Sequence, residues 1–219
     1  MSTVFIIGGA GKVGLRLSKI LADKGHAVHA LHRLPEQAQL IHLQGAKPVS
    51  GSLTELGAEA LATAMKGCDV VVFSAGAGGK GGPEMTNAVD GEGLKTAAEA
   101  AALAGISRFL LVSAFPEASR SETTSASFEN YMRVKKQAEV VLAESALDWV
   151  ILRPGLLRDD KGSGFVRTGL AIPYGEVTRD NVAATLAEII GQPRISRVII
   201  ELTDGEVPVR EAIQQMAGR

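Results

Sequence analysis

Seven residues near the start of the chain, Gly8-Gly9-Ala10-Gly11-Lys12-Val13-Gly14, restrict its fold more than any other feature. They follow an apolar run at residues 3–7 directly and open a helical pattern over about residues 12–24. Two spacings fit. Gly9, Gly11 and Gly14 match G-x-G-x-x-G, and Gly8, Gly11 and Gly14 match G-x-x-G-x-x-G. Either way, the missing side chains permit a tight strand-to-helix turn and let the backbone come close to another group. The helix then starts with free N–H groups and a partial positive charge, which suits a diphosphate. A P-loop is excluded, because Gly11-Lys12 is followed by Val13 and the leading position is Ile6.

The rest of the chain alternates strand and helix patterns. Further strands are expected at residues 27–31, weakly near 47–49, and at 69–74, 108–113 and 149–152. Helices are expected at 54–66, at 84–104 (weakened by Gly91 and Gly93) and at 128–146, with a short one opened by Pro35. This alternation implies βαβ units with right-handed crossovers, hence an α/β fold with a Rossmann-type, doubly wound parallel sheet. After Pro154 the pattern changes to an irregular segment, a helix near 179–190, a strand at 197–202 and a last helix from Val209. At 219 residues the chain suits one domain. Residues 1–154 form its cofactor-binding core, and 155–219 a small cap too short to stand alone.

Formal net charge is −1 and no basic block occurs, which argues against nucleic acid or a membrane surface as partner. Cys68 is the only cysteine and reads as a small buried residue; an intramolecular disulfide is impossible. His26, His29 and His42 lack metal-ligand spacing, so no metal is expected. The N-terminus lacks a signal-peptide pattern, and no apolar run reaches membrane-spanning length. A cytoplasmic monomer or homodimer acting on a small molecule is the expectation.

The end of the second strand selects the cofactor. An NAD site places a carboxylate there for the ribose 2′-hydroxyl. This chain has Leu31-His32-Arg33, and Arg33 can meet a 2′-phosphate with a charge-assisted fork. NADP(H) is therefore expected ahead of NAD(H), and His32 is read as a surface residue. Farther along, Tyr131 and Lys135 share one helix face at i and i+4. A cation beside a phenol lowers its pKa and prepares it for proton exchange with a carbonyl or alcohol oxygen. Tyr131 also begins an apolar stripe through Val134, Ala138 and Val141, so a core role stays open.

These motifs resemble the short-chain dehydrogenase/reductase superfamily, in its atypical epimerase-like and flavin-reductase-like branch. The resemblance rests on the glycine turn, Phe73-Ser74-Ala75-Gly76, the run from Arg108 to Ser113, Tyr131 with Lys135, Leu152-Arg153-Pro154-Gly155, and the helix start Thr178-Arg179-Asp180-Asn181. It implies that Gly8, Gly11, Lys12, Val13 and Gly14 surround the pyrophosphate, with Arg33 on the 2′-phosphate. Ser52 and Leu53 would lie near adenine, with Ser52 standing where relatives have Asp. Ser74, Ala75 and Gly76 would lie along the cofactor, and Pro154 and Gly155 would approach nicotinamide. Tyr131 would be the acid–base residue and Lys135 would hold the nicotinamide ribose. Ser113 would orient substrate, although Ala114 replaces the second serine of many relatives. Asp90 stands where Asn is usual and is either a proton-relay residue or a surface carboxylate.

The implied activity is an NADP(H)-dependent oxidoreductase for a small carbonyl, alcohol or quinone-like substrate. Three alternatives stay open: a non-catalytic NADP(H)-binding sensor or scaffold, a flavin- or biliverdin-type reductase that needs no tyrosine, and a sugar-nucleotide epimerase. Two loops are candidates to close over the pocket, the glycine-rich stretch 76–83, in which Lys80 is read as solvated, and the polar stretch 119–127.

Overall fold

The computed structural model describes residues 1–118 and 124–218, so most of the polar stretch expected as a lid, 119–123, lies outside the described residues. The described residues form the strands β1 (Thr3–Ile7), β2 (Ala27–His32), β3 (Lys47–Ser50), β4 (Val70–Phe73), β5 (Arg108–Val112), β6 (Asp148–Pro154), β7 (Leu156–Arg158), β8 (Phe165–Gly169), β9 (Glu176–Thr178), β10 (Val198–Asp204) and β11 (Val207–Pro208). The helices are α1 (Lys12–Asp23), α2 (Gln37–His42), α3 (Ala58–Met65), α4 (Gly82–Thr86), a π-helical turn (Asn87–Glu92), α5 (Gly93–Leu103), α6 (Ala126–Glu144), α7 (Arg179–Ile190) and α8 (Val209–Ala217).

Nine strands form one sheet in the order β11-β8-β10-β6-β5-β4-β1-β2-β3. Pairing is parallel from β3 through β10, and β8 turns antiparallel against β10. The chain runs outward from β1 through β2 to β3, then returns to place β4 on the other side of β1. This strand-order reversal opens a crevice at the carboxyl ends of β1 and β4, where doubly wound sheets bind ligands.

Side-chain alternation divides the core between the two faces. Val4, Ile6, Val72, Leu110 and Leu152 pack on one side with Leu17 of α1, Leu186 of α7 and Ile213 of α8. Phe5, Ile7, Phe73, Phe109 and Ile151 pack on the other with Leu61, Leu94 and Leu142. Because helices cover both faces, the central strands read as continuous apolar runs.

Three elements differ from expectation. After Pro154 the expected helix at 179–190, strand near 197–202 and last helix from Val209 form as α7, β10 and α8, but the segment expected as irregular holds β7, β8 and β9: β10, β8 and β11 extend the main sheet, while β7 and β9 form a separate parallel pair. The helix expected at 54–66 starts only at Ala58, behind Gly57 as N-cap. The helix expected at 84–104 is interrupted by the π turn, with Gly91 against Val134 and Gly93 against Leu53. Glycine at these two places permits close helix packing, and the extra residue of the π turn directs Asp90 inward to 2% exposure.

Candidate cofactor and active site

Each glycine of the turn has a separate job. Gly8 adopts φ +84°, and a Cβ there would stand 2.7 Å from Ala75 N. Gly14 lies under the turn, where a Cβ would meet Gly8 O at 2.4 Å. Gly9 packs on β2, 2.5 Å from the Ala30 Cβ by the same measure. At Gly11 a Cβ would touch only Gly8 O, at 3.0 Å, so this residue leaves open space above the helix start. The structure thus uses Gly8, Gly11 and Gly14 for turn, close approach and helix packing. No side chain caps α1 and no acidic residue sits in its first turn. The N–H groups of Lys12, Val13 and Gly14 have no intrahelical acceptor by helix geometry.

That space belongs to a cavity of about 410 Å³ lined by Gly8, Gly11, Arg33, Ser52, Leu53, Ser74, Ala75 and Gly76, with Thr54 and Lys80. It runs along the strand-reversal crevice. Its lining contains two cations, Arg33 and Lys80, and no Asp or Glu. The Gln37 side-chain oxygen accepts the backbone N–H groups of Arg33 at 3.2 Å and Leu34 at 3.1 Å, which fixes the turn carrying Arg33. Among the described residues no carboxylate pairs with the Arg33 side chain. Lys80 is exposed, as expected, and also lines this cavity. A glycine cradle, a free helix end and an acid-free lining with two cations fit a dinucleotide with several phosphates.

His32 departs from its expected surface position. Strand β2 runs one residue longer, pairs His32 with Ser50, and buries the ring with Nδ1 3.0 Å from Leu34 O. Lys12 lies outside the cavity lining and turns its ammonium to Asp159, whose other oxygen meets Arg179 at 3.0 Å. The Lys12 bond holds the Asp159 carboxyl below its ordinary range. Val13 and Gly14 are buried beneath the turn and can offer only backbone N–H groups.

The acid–base candidates assemble around Asp90. Its Oδ2 accepts the Ala77 N–H at 3.0 Å, which pins the start of the glycine-rich loop. Its Oδ1 lies 3.6 Å from Lys135 Nζ, and Lys135 also donates to Val112 O at 2.9 Å. Burial pulls the Lys135 ammonium below its usual pKa, opposed by Asp90 and Glu139. The expected lowering of the Tyr131 pKa by Lys135 is reversed: burial, then the Asp90 charge, push the phenol up to about 12. The lysine is committed to Asp90 and a backbone carbonyl, so desolvation governs the phenol.

Ser113, expected to orient substrate, instead donates to Glu139 Oε1 at 2.7 Å. Gly155 donates its N–H to Leu202 O, and a Cβ on it would stand 2.0 Å from Gly175 O. The close approach that requires glycine here is therefore to the protein's own backbone. Pro154 pairs with Leu202 at the end of β6. Tyr131, Ser113, Pro154 and Gly155 are absent from the linings of both described cavities, whereas Lys135 lines a second one.

Comparison with known proteins decides the family: the NAD(P)H-binding family matches residues 8–193. The chain belongs to the NAD(P)H-binding family. It is an atypical short-chain dehydrogenase/reductase-like protein with the same mostly parallel sheet. It is 36% identical over 214 residues to the uncharacterized sugar epimerase YhfK of Bacillus subtilis, covering 97% of this chain and 99% of that one. A Bacillus halodurans structure, provisionally assigned as an NAD-dependent epimerase/dehydratase, superposes with a TM-score of 0.89 at 29% identity, covering 98% of this chain and 100% of that one. The oxidoreductase ylbE of Lactococcus lactis gives a TM-score of 0.86 at 25% identity, covering 99% and 97% of the two chains.

Within this NAD(P)H-binding chain, sequence reasoning missed Gln37, Thr54 and the buried Glu139–Arg153–Glu201 network. Gln37 lies four residues after Arg33, a spacing that signals a local bond. The network had no local signal, because its members come from α6, β6 and β10. Among the described residues no group of three or more His, Cys, Asp and Glu is placed to hold a metal ion. No helix among them is long and apolar enough to cross a membrane.

Glycine 11 supplies a direct test of the cradle. Its extended backbone (φ −74°, ψ 162°) accepts a β-branched residue, and only Gly8 O stands near. Gly11→Val is expected to fold while losing at least about tenfold in NADPH affinity, because the branches fill the space left for phosphate. Fluorescence titration of NADPH checks it; unchanged affinity would show that the phosphates lie elsewhere.

Proposed function

We propose that the protein is an NADP(H)-dependent oxidoreductase acting on a small carbonyl, alcohol or quinone-like substrate. The observation that carries this reading is the acid-free cavity with Arg33 at the end of β2 and the glycine cradle at the strand reversal. Gly8, Gly11, Ser74, Ala75 and Gly76 would hold the cofactor along the crevice, with Arg33 on the 2′-phosphate. The nicotinamide, when bound, supplies or accepts hydride. Tyr131, kept neutral by its raised pKa, would give the proton to the nascent alkoxide in the reductive direction. Asp90 would hold Lys135 and the Ala77 backbone in place beside it. Family relatives named as epimerases are consistent with this chemistry, since hydride transfer to and from a carbinol carbon is common to both activities.

The position of Tyr131 off both cavity linings favours a second reading: reduction of a conjugated acceptor stacked on nicotinamide, with the proton taken from solvent. The two readings share the cofactor site and differ in their need for Tyr131.

The cofactor assignment is tested by Arg33→Asp. Losing the charge-assisted contacts to the 2′-phosphate costs about 1.5–3 kcal/mol. That corresponds to roughly 10- to 150-fold weaker NADPH binding. NADH binding is expected to stay near the wild-type value. Titration of both nucleotides against wild type and variant reads the result. An unchanged NADPH-to-NADH ratio would remove Arg33 as the phosphate anchor. NADPH oxidation with a panel of aldehydes and quinones tests the activity, and tight binding with no oxidation would favour a sensor.

A further inference from the structure

A second cavity of about 400 Å³ lies beyond the carboxyl ends of β5 and β6, against α6. Its size falls within the range of small-molecule sites. The Asp90–Lys135 pair connects the two cavities: Asp90 holds Ala77, which lines the first, and Lys135 lines the second.

Its charges are unequal. Arg133, Lys135, Lys136 and Arg153 line it against Glu129 and Glu139. Lys135 is committed to Asp90, and Arg153 grips Glu139 through two bonds of 2.9 and 2.7 Å. Glu139 also accepts Ser113, and Glu129 accepts Thr124. Among the described residues Arg133 donates to the neutral amides of Asn130 at 2.6 Å and Gln137 at 3.5 Å. Lys136 stands 3.9 Å from Glu139, at the edge of an ion pair, with its side chain 66% exposed. Two cations one helical turn apart therefore line the cavity: among the described residues Arg133 bonds only neutral amides, and Lys136 keeps a long ion pair with Glu139, above a wall of Ala114, Pro116 and Met132.

We propose that this cavity receives the substrate, and that the substrate carries an oxyanion, carboxylate or phosphate, held by Arg133 and Lys136. Arg133 offers a planar fork and Lys136 a point charge, the pairing that recognises such groups. The proposal rests on the oxidoreductase reading for the word substrate, and the charge preference is separable from it.

The test uses the full chain saturated with NADP⁺ and titrated calorimetrically with para-carboxybenzaldehyde, its methyl ester and 4-formylphenyl phosphate. The two anions are expected to bind at least about tenfold more tightly than the ester. Arg133→Gln/Lys136→Gln is expected to reduce that preference to about twofold or less. Lys19→Gln, which removes one charge on α1, is expected to keep it. No binding of either anion, equal binding of acid and ester, or a preference that survives in the double variant overturns the proposal. Stronger binding of one anion identifies carboxylate or phosphate as the preferred group. NADPH oxidation by the same aldehydes separates the two claims. Charge-selective binding without oxidation removes the oxidoreductase reading and keeps the anion site, whereas oxidation without charge selection does the reverse.

Discussion

Tyr131→Phe is expected to lower kcat/KM for carbonyl reduction by about 10²–10⁴-fold, the usual contribution of a positioned general acid. NADPH affinity should change little, because Tyr131 does not line the cofactor cavity. The pH profile carries the sign of the pKa shift. Burial and the Asp90 charge raise the phenol to about 12, so the proton-donating form persists through neutral and mildly alkaline solution. Reduction should therefore show no loss from tyrosine ionisation between about pH 6 and 9. The oxidative direction needs the phenolate as base and should accelerate as pH rises through the same window. Stopped-flow measurement of NADPH in both directions reads both effects. Full turnover by the phenylalanine variant would remove the tyrosine mechanism and support proton delivery from solvent.

Reversal of the Tyr131 shift marks where sequence reasoning lost its hold. The i,i+4 spacing placed Tyr131 and Lys135 on one helix correctly, since helical geometry is local. What each side chain faces depends on distant elements. Lys135 meets a carboxylate carried by the π turn, and a π turn has no spacing signal that separates it from an ordinary helix. Gly155 is likewise constrained by a distant element. Its neighbour is the carbonyl of Gly175, reached only once β7 and β9 have paired. The glycine turn succeeded because every constraint on it is nearby: Gly14 packs under Gly8, and the strand before and helix after are fixed by adjacent residues. Arg33 was visible as a cation at a strand end, whereas the approach of the exposed Lys80 to the same cavity depends on a loop whose direction only the fold sets. The sheet's central order was legible from the βαβ alternation. Of its extension, the strand expected at 197–202 forms as β10, whereas the short strands β8 and β11 were not legible, because they carry weak periodicity.

The largest stability loss is expected from Glu139→Ala. Glu139 and Arg153 are both nearly sealed from solvent, at 5% and 11% side-chain exposure. The carboxylate holds Arg153 Nε and Nη2 and the Ser113 hydroxyl, and its bonds to Arg153 raise the guanidinium pKa. Arg153 keeps its charge at any working pH, so it cannot escape by losing a proton. Removing one member of a buried pair leaves a desolvated charge and costs about 3–5 kcal/mol. At about 2–4 °C per kcal/mol for a domain of this size, Tm should fall by roughly 6–20 °C. Glu201, 3.6 Å from Arg153 Nη1, gives only partial relief, since its Oε2 already accepts the Ile172 N–H at 2.8 Å. Glu139→Gln should lose less, because its amide oxygen can still accept one of the bonds. Calorimetric melting of both variants tests the argument. A Tm within about 2 °C of wild type for the alanine variant would show that water reaches Arg153 and that the β6–α6–β10 junction does not depend on the pair. A real drop would show that this carboxylate is what balances the Arg153 charge at the junction of β6, α6 and β10.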